Sequence, residues 1–279
     1  WITTLAYMAQ LYFDFSGYSD MAIGLAGMFG IKFPNNFNSP YKTRSIIDFW
    51  QRWHMTLSRY IGLLLYNPVA LAITRSRVRR GLKVSRKALA QPATFVSMIA
   101  FPTFFAMGIA GVWHGAGMQF LVFGLLHASY LTINHAWRTW GPQHKSGDKP
   151  ASLVTLLWQV ALTQLVVLVA FVFFRADSVD TAVSILASMT GGATAPIGPI
   201  GEHAGDLARL AIAFAIIWLV PNTIEVMGDA APVLEPLAHK GPAWLRWRPS
   251  AAWGILTALL LGYCMLNFTN STEFLYFQF

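Results

Sequence analysis

Two histidines stand where an imidazole could do chemistry. His114 lies in Gly111-Val-Trp-His-Gly-Ala-Gly117, between two apolar windows, and His54 lies in Asp48-Phe-Trp-Gln-Arg-Trp-His-Met-Thr-Leu-Ser58. Imidazole titrates near neutrality and is the commonest general base. An ionisable group inside an apolar span is costly enough to count as a functional candidate. The glycines around His114 let a helix or a substrate approach the backbone closely; a packing patch holding a hydrogen-bonded histidine reads the same residues equally well. His54 follows an amphipathic run in which Trp50, Trp53 and Leu57 recur at helical spacing, with Trp and Arg suited to a membrane interface. A structural hydrogen-bond partner is the more ordinary use of such a histidine, and its weight comes from pairing with His114.

Other polar clusters are open to several uses. Tyr12-Phe-Asp-Phe-Ser-Gly-Tyr-Ser-Asp20 joins two apolar stretches; Asp14 and Asp20 could orient a histidine, bind an acceptor hydroxyl, or pair with Arg44 or Arg52. Phe33-Pro-Asn-Asn-Phe-Asn-Ser-Pro-Tyr41 is a turn-rich connector, whose amides cap backbone or meet a polar substrate. His127 and His135 are eight residues apart, whereas paired ligands on a helix favour i, i+4, and no third ligand is evident; a metal site is not expected. His144, His203 and His239 fall in loops. No Gly-x-Ser-x-Gly elbow, Walker loop or dinucleotide fingerprint occurs, which leaves the chemistry to histidine.

The elements that must position these residues are membrane helices. Only 11% of the 279 residues are charged and 55% are hydrophobic, against roughly 25% charged in a soluble domain. Charge-free windows at Ala88–Trp113, Gly115–Trp137, Pro150–Phe174 and Pro249–Thr272 reach the roughly 20 residues of a bilayer crossing. Shorter apolar stretches at Trp1–Phe13, Met21–Ile31, Tyr60–Thr74 and Leu210–Ile224 are tilted, re-entrant or buried. The net charge of +8 does not indicate nucleic acid: Arg75, Arg77, Arg79, Arg80, Lys83, Arg86 and Lys87 form one loop with no acid among them, which marks an inner face beside anionic headgroups. From that loop the second half alternates consistently, with Arg138, Lys145, Lys149, Lys240, Arg246 and Arg248 inside and the acidic 175–209 segment, carrying Glu202, outside. The first half does not, because Lys32, Lys42, Arg44 and Arg52 precede Tyr60–Thr74 while the 75–87 loop follows it. Asn67-Pro68 interrupts that stretch, so a re-entrant element around a solvated cavity formed by residues 14–74 is expected. The single cysteine, Cys264, excludes an internal disulfide. The opening at Trp1, inside an apolar run, leads to the expectation that further helices precede it.

Tyr12-Phe-Asp-Phe-Ser-Gly-Tyr-Ser-Asp-Met-Ala-Ile-Gly24, Asn35-Asn-Phe-Asn-Ser-Pro-Tyr41, Phe49-Trp-Gln-Arg-Trp-His-Met-Thr-Leu-Ser58 and Trp113-His-Gly115 together resemble the membrane-bound O-acyltransferase family, in its bacterial alginate O-acetylation branch. Phe173-Phe-Arg-Ala-Asp177 and the terminal Tyr276-Phe-Gln-Phe279 are similar to later segments of that branch. The resemblance implies an all-α, polytopic bundle with re-entrant or interfacial helices around a central tunnel, in a bacterial inner membrane. It places His114 at the family's essential histidine and His54 at its second motif histidine, with Asp14, Tyr12, Asn36, Arg52 and Trp113 as substrate-binding candidates. After Ser58 the chain departs from the branch, reading Arg59-Tyr-Ile-Gly-Leu-Leu-Leu-Tyr-Asn-Pro68, which leaves acceptor identity open.

The implied reaction moves an acetyl group from acetyl-CoA or an acylated carrier, with no bound cofactor, towards an exopolysaccharide or cell-wall polymer. A periplasmic or membrane-anchored partner would make the final transfer. His114 acts as general base or transient acyl acceptor, and His54 positions a reactant or stabilises developing charge. The rival readings are a transporter or channel, which shares broken helices and a basic mouth, and a structural subunit without catalysis.

Overall fold

The computed structural model describes residues 1–142, 151–192, 204–235, 237 and 241–267. The expectations placed on Lys145, Lys149, Glu202, Lys240, the three loop histidines and the 276–279 motif lie outside these residues. Long apolar runs become long helices. α1 spans Ile2–Met28, about 40 Å at 1.5 Å per residue. An irregular connector leads to the short α2, Ile46–Trp50, and then to α3, Met55–Arg79, and α4, Pro92–His114. α5 is Met118–Trp140, α6 Leu153–Arg175 and α7 Val179–Met189; α8 is Ala204–Leu219 and α9 Ala251–Leu266. Serines set three of the starts: the hydroxyls of Ser152, Ser178 and Ser250 accept from the backbone N–H groups of Thr155, Thr181 and Trp253. α3, α4 and α6 are long and apolar enough to cross a membrane. Among the described residues there is no strand, only an isolated bridge between Phe33 and Val233, and the chain is an all-α polytopic membrane bundle.

The expected break at Asn67-Pro68 does not occur, and Tyr60–Thr74 is carried inside the continuous α3. A π turn at Gly62–Tyr66 precedes Pro68, and a second one at Val96–Ala100 precedes Pro102 in α4. Proline lacks the N–H of an i→i−4 bond and pushes against the carbonyl four residues back. Those carbonyls, on Leu64 and Met98, lie within the π turns, where the wider spacing accommodates them without ending the helix. Hence the two basic segments flank a single helix of about 37 Å. Two cations of the connector segment are satisfied inside the protein: Arg52 pairs with Asp48 at 2.8 Å and Lys42 donates to the Val220 carbonyl at 2.7 Å.

The core forms where α1, α2, α5 and α6 meet the connector. Tyr41, Phe49 and Trp53 stack with interplanar angles of 6° to 15°, and the Tyr41 hydroxyl donates to the Met8 carbonyl at 2.8 Å. The connector's irregular backbone survives because protein surrounds it: Asn38 N–H donates to Arg52, Met55 N–H to Asn36 and Leu234 N–H to Phe33, while Trp218 Nε1 donates to the Tyr41 carbonyl. By contrast, the outer faces of α3 and α9 present Leu63, Leu64, Leu71, Leu259, Leu260 and Leu261 uncovered, as lipid-facing helices do.

α4 and α5 pack through glycine. A Cβ on Gly111 would meet the Phe120 carbonyl oxygen at 2.4 Å, and one on Gly124 would meet the Met107 carbonyl oxygen at 2.3 Å. The helices therefore approach backbone to backbone just before His114. Gly108, on the same helix, would place its Cβ no closer than 3.9 Å to Leu125. Gly111→Ala and Gly124→Ala should each destabilise the detergent-purified protein by about 1–3 kcal/mol, whereas Gly108→Ala should leave its melting temperature unchanged or raised. Equal effects at all three positions would contradict the glycine contact.

Candidate active site

α4 ends on His114 and α3 begins after His54. The two residues, sixty apart in sequence, line one cavity of about 30 Å³ whose remaining walls are Leu11 and Phe15 of α1, Trp50, Trp53, Leu57, Phe123 of α5, and Phe171 and Phe174 of α6. The edge of Phe15 meets the His54 ring at 4.7 Å. The His114 ring lies edge to face with Phe174 at 5.0 Å and with Phe123 at 5.8 Å. The cavity is thus a small aromatic chamber, apolar apart from its two imidazoles and the indoles of Trp50 and Trp53.

His54 occupies the N-cap of α3 with φ 43° and ψ 55°, a left-handed conformation uncommon outside glycine and asparagine. Its orientation is set by Asn36. Asn36 Oδ1 accepts from the Thr56 N–H at 3.3 Å and from Thr56 Oγ1 at 2.9 Å, and it lies 3.0 Å from His54 Nδ1; Asn36 Nδ2 donates to Ser19 Oγ at 3.1 Å. A backbone N–H can only donate, so the amide must present its oxygen to Thr56 and therefore to His54. The His54 proton then resides on Nδ1, and Nε2 keeps the lone pair. His54 sits ahead of the membrane-crossing length of α3. Burial first, and the nearby His114 second, lower its pKa from 6.5 to about 4, which keeps the ring neutral at physiological pH.

The other candidates are distributed differently. Trp113 is 59% exposed and touches the His114 ring from outside the chamber, at 5.0 Å. Arg52 is held by Asp48. Tyr12 is buried against Tyr41 and Phe37, at 5.2 and 6.1 Å, and lines a separate cleft of about 200 Å³ with Ser16, Asp20, Ser39, Asn222 and Thr223. Asp14 lines neither cavity. Asn36 is engaged with His54 and Thr56. The chamber walls Phe123 and Phe171 carried no signal in the sequence beyond apolarity, and Phe174 entered only through the Phe173-Phe-Arg-Ala-Asp177 resemblance, without a place in the site.

Residues 1–84 match the family model described as MBOAT, membrane-bound O-acyltransferase family. The peptidoglycan O-acetyltransferase of Helicobacter pylori is 38% identical over 192 residues, covering 68% of this chain and 31% of that protein. The probable alginate O-acetylase AlgI of Azotobacter vinelandii is 31% identical over 300 residues, covering 100% of this chain and 54% of that protein. The teichoic acid D-alanyltransferase of Bacillus subtilis is 32% identical over 139 residues, covering 50% of this chain and 32% of that protein. The chain thus spans between about a third and about half the length of the curated relatives it matches.

Asn36→Ala should leave the His54 and Thr56 donors without their acceptor and lower stability by about 1–3 kcal/mol, read as the melting temperature in detergent. A melting temperature equal to wild type would show that the amide holds nothing. A second expectation concerns pH. Because the folded His54 pKa is depressed, its unfolded form takes up the proton first as pH falls, and stability is lost from about 6.5 down towards 4. His54→Asn should shallow that loss, since asparagine does not titrate and tolerates the left-handed backbone; an unchanged slope would exclude His54 as its source.

Proposed function

From membership of the membrane-bound O-acyltransferase family, to which this chain belongs, we infer that it forms the catalytic part of an enzyme that moves an acetyl group from a cytoplasmic thioester donor to a hydroxyl. The observation that carries this reading is the pair of imidazoles, His54 with a fixed lone pair and His114, facing one small apolar chamber. In the reaction, the acceptor oxygen attacks the thioester carbonyl. His114 takes the hydroxyl proton as the C–O bond forms, and the C–S bond breaks to release a thiolate that recovers the proton. His54 cannot donate to an oxyanion while neutral, because its only N–H points to Asn36. It acts as an acceptor instead. Among the side chains lining the chamber, its Nε2 is the one available to accept from the imidazolium that His114 becomes.

The size and polarity of the chamber favour acetyl. A volume of about 30 Å³ holds about two or three non-hydrogen atoms, taking roughly 10–15 Å³ for each water-sized group. An aminoacyl group would bring an ammonium into a wall without a carboxylate, an arrangement that buried charge does not tolerate. The donor is acetyl-CoA or an acylated carrier that presents its thioester to the chamber. The acceptor is a hydroxyl-bearing polymer on the other face of a bacterial inner membrane, with a partner protein completing transfer; the names of the alginate and peptidoglycan relatives support a polysaccharide.

The test is transfer of labelled acetyl from acetyl-CoA to surface polysaccharide in membranes carrying the full-length protein at matched expression. His114→Ala should lose about 10²–10⁴-fold, the span of a general base. His54→Asn, which retains the backbone conformation but withdraws Nε2, should lose less. Equal label in wild type and His114→Ala would sink the assignment.

A further inference from the structure

Behind the chamber lies a third histidine that the reaction does not use. His127 of α5 is fully buried, with 0% exposure. Trp50 Nε1 donates to His127 Nδ1 at 3.2 Å. An indole N–H can only donate, so His127 Nδ1 carries the lone pair and Nε2 carries the proton. Among the described residues that Nε2 has no hydrogen-bond partner. A leucine or phenylalanine would fill the same space without burying an orphaned donor, so packing alone does not explain an imidazole here. What only the imidazole supplies is the acceptor for Trp50.

Trp50 and Phe123 are walls of the chamber, and His127 touches both, at ring separations of 5.0 and 4.7 Å. Its plane lies within 2° of Phe49 at 6.3 Å, which keys it into the stacked core of Tyr41, Phe49 and Trp53. The indole of Trp50 is thereby held at one angle by a hydrogen bond anchored in the rigid part of the fold. A side chain as large as tryptophan on the wall of a chamber of about 30 Å³ decides what fits beside His54 and His114.

We propose that His127 is a positioning residue which, acting through its hydrogen bond to Trp50, sets the chamber wall that limits the transferred acyl group to two carbons. The proposal rests on the acyltransferase reading and assigns its acyl specificity. Without the bond, the indole is free to swing and the chamber can lengthen; each methylene then admitted changes relative transfer by roughly 10–200-fold.

Membranes carrying the full-length protein are supplied with acetyl-CoA and butyryl-CoA in competition, and transfer of each to polysaccharide is followed. Wild type should use acetyl almost alone. His127→Leu should raise the butyryl-to-acetyl ratio by about tenfold or more. His127→Asn, whose side-chain oxygen takes the place of Nδ1, should bring the ratio back towards wild type. Trp50→Phe, which removes the donor and part of the wall, should raise the ratio as well, and His127→Leu added to Trp50→Phe should change it little further. Acetyl and butyryl transfer falling in parallel in His127→Leu, with the ratio unchanged, would overturn the proposal and leave His127 a packing residue. Fully multiplicative effects of the two substitutions would overturn it also, by showing that they do not act through one bond. Failure of the wild type to transfer acetyl would overturn the acyltransferase reading itself, and this outcome is separable because it precedes any comparison of variants. If His127→Leu does not fold, the ratio in Trp50→Phe decides: no rise refutes the wall.

Discussion

The side-chain amide of Asn36 is the contact on which the geometry of the site depends. A buried polar group needs a partner within the protein, and this amide supplies one acceptor to Thr56 and His54 and one donor to Ser19. Its direction is not free, because the Thr56 backbone N–H dictates which end faces α3. The tautomer of His54 follows from that single constraint. Two backbone bonds, Met55 N–H to Asn36 and Asn38 N–H to Arg52, tie the same stretch of connector to the turn that carries His54. The left-handed backbone of His54, unfavourable by about 1–2 kcal/mol for most residues, persists because these bonds leave the turn no other course.

Around that contact the packing is aromatic, and a physical reason can be given. The chamber that holds the two imidazoles is small and largely apolar, and its walls must be rigid enough to keep its size. Aromatic rings cover much area with few rotatable bonds, and edge-to-face pairs add roughly 0.5–1.5 kcal/mol beyond area burial. Phe123 and Phe174, whose centroids are 4.9 Å apart, both set an edge or face against His114. The close approach of α4 and α5 through Gly111 and Gly124 brings those rings within reach. Gly115 completes the turn: a Cβ there would collide with the Phe120 ring at 2.5 Å, and Phe120 in turn packs on Phe174 at 5.5 Å. The glycines of the His114 motif therefore serve helix and ring approach to the histidine's own surroundings.

Residue type made His114 legible in the sequence, since an imidazole next to glycine and between charge-free windows is hard to explain by composition, whereas His54 gained weight only by pairing with it. Their juxtaposition was not legible, because sixty residues of helix and turn separate them and no local period encodes that contact. The spans α4 and α6 were readable from uninterrupted apolarity. The continuity of α3 was not, because Asn67-Pro68 has the local chemistry of a break and its accommodation depends on a π turn, a backbone adjustment without a sequence period. Asn36 stood out as one amide in a turn-rich connector, but its partner lies eighteen residues on, so a substrate contact and a histidine contact looked alike. Phe171 and Phe174 were invisible as chamber walls because the half of α6 that carries them, Leu165–Phe174, is apolar all round, and periodicity gives no inward side there.

The two histidines also differ in where they sit on their helices, and the difference matches the roles assigned to them. His54 occupies the N-cap position of α3, at the positive end of the helix dipole, where Asn36 takes the Met55 and Thr56 N–H groups. His114 is the final residue of α4, at the end where unpaired carbonyls create a partial negative charge. In the proposed reaction a proton taken from an acceptor hydroxyl would, by the helix dipoles, be better placed on His114 than on His54. The amide of Asn36 acts in the same direction, since it uses the only N–H of neutral His54 and leaves Nε2 to receive a hydrogen bond. In the proposed reaction, backbone dipoles and one fixed amide would make two like residues in one chamber unlike: one to take charge transiently, the other to stay neutral and accept. Among the described residues the wall carries no carboxylate, so in that reaction the division would hold a proton beside an acyl group without a permanent buried charge.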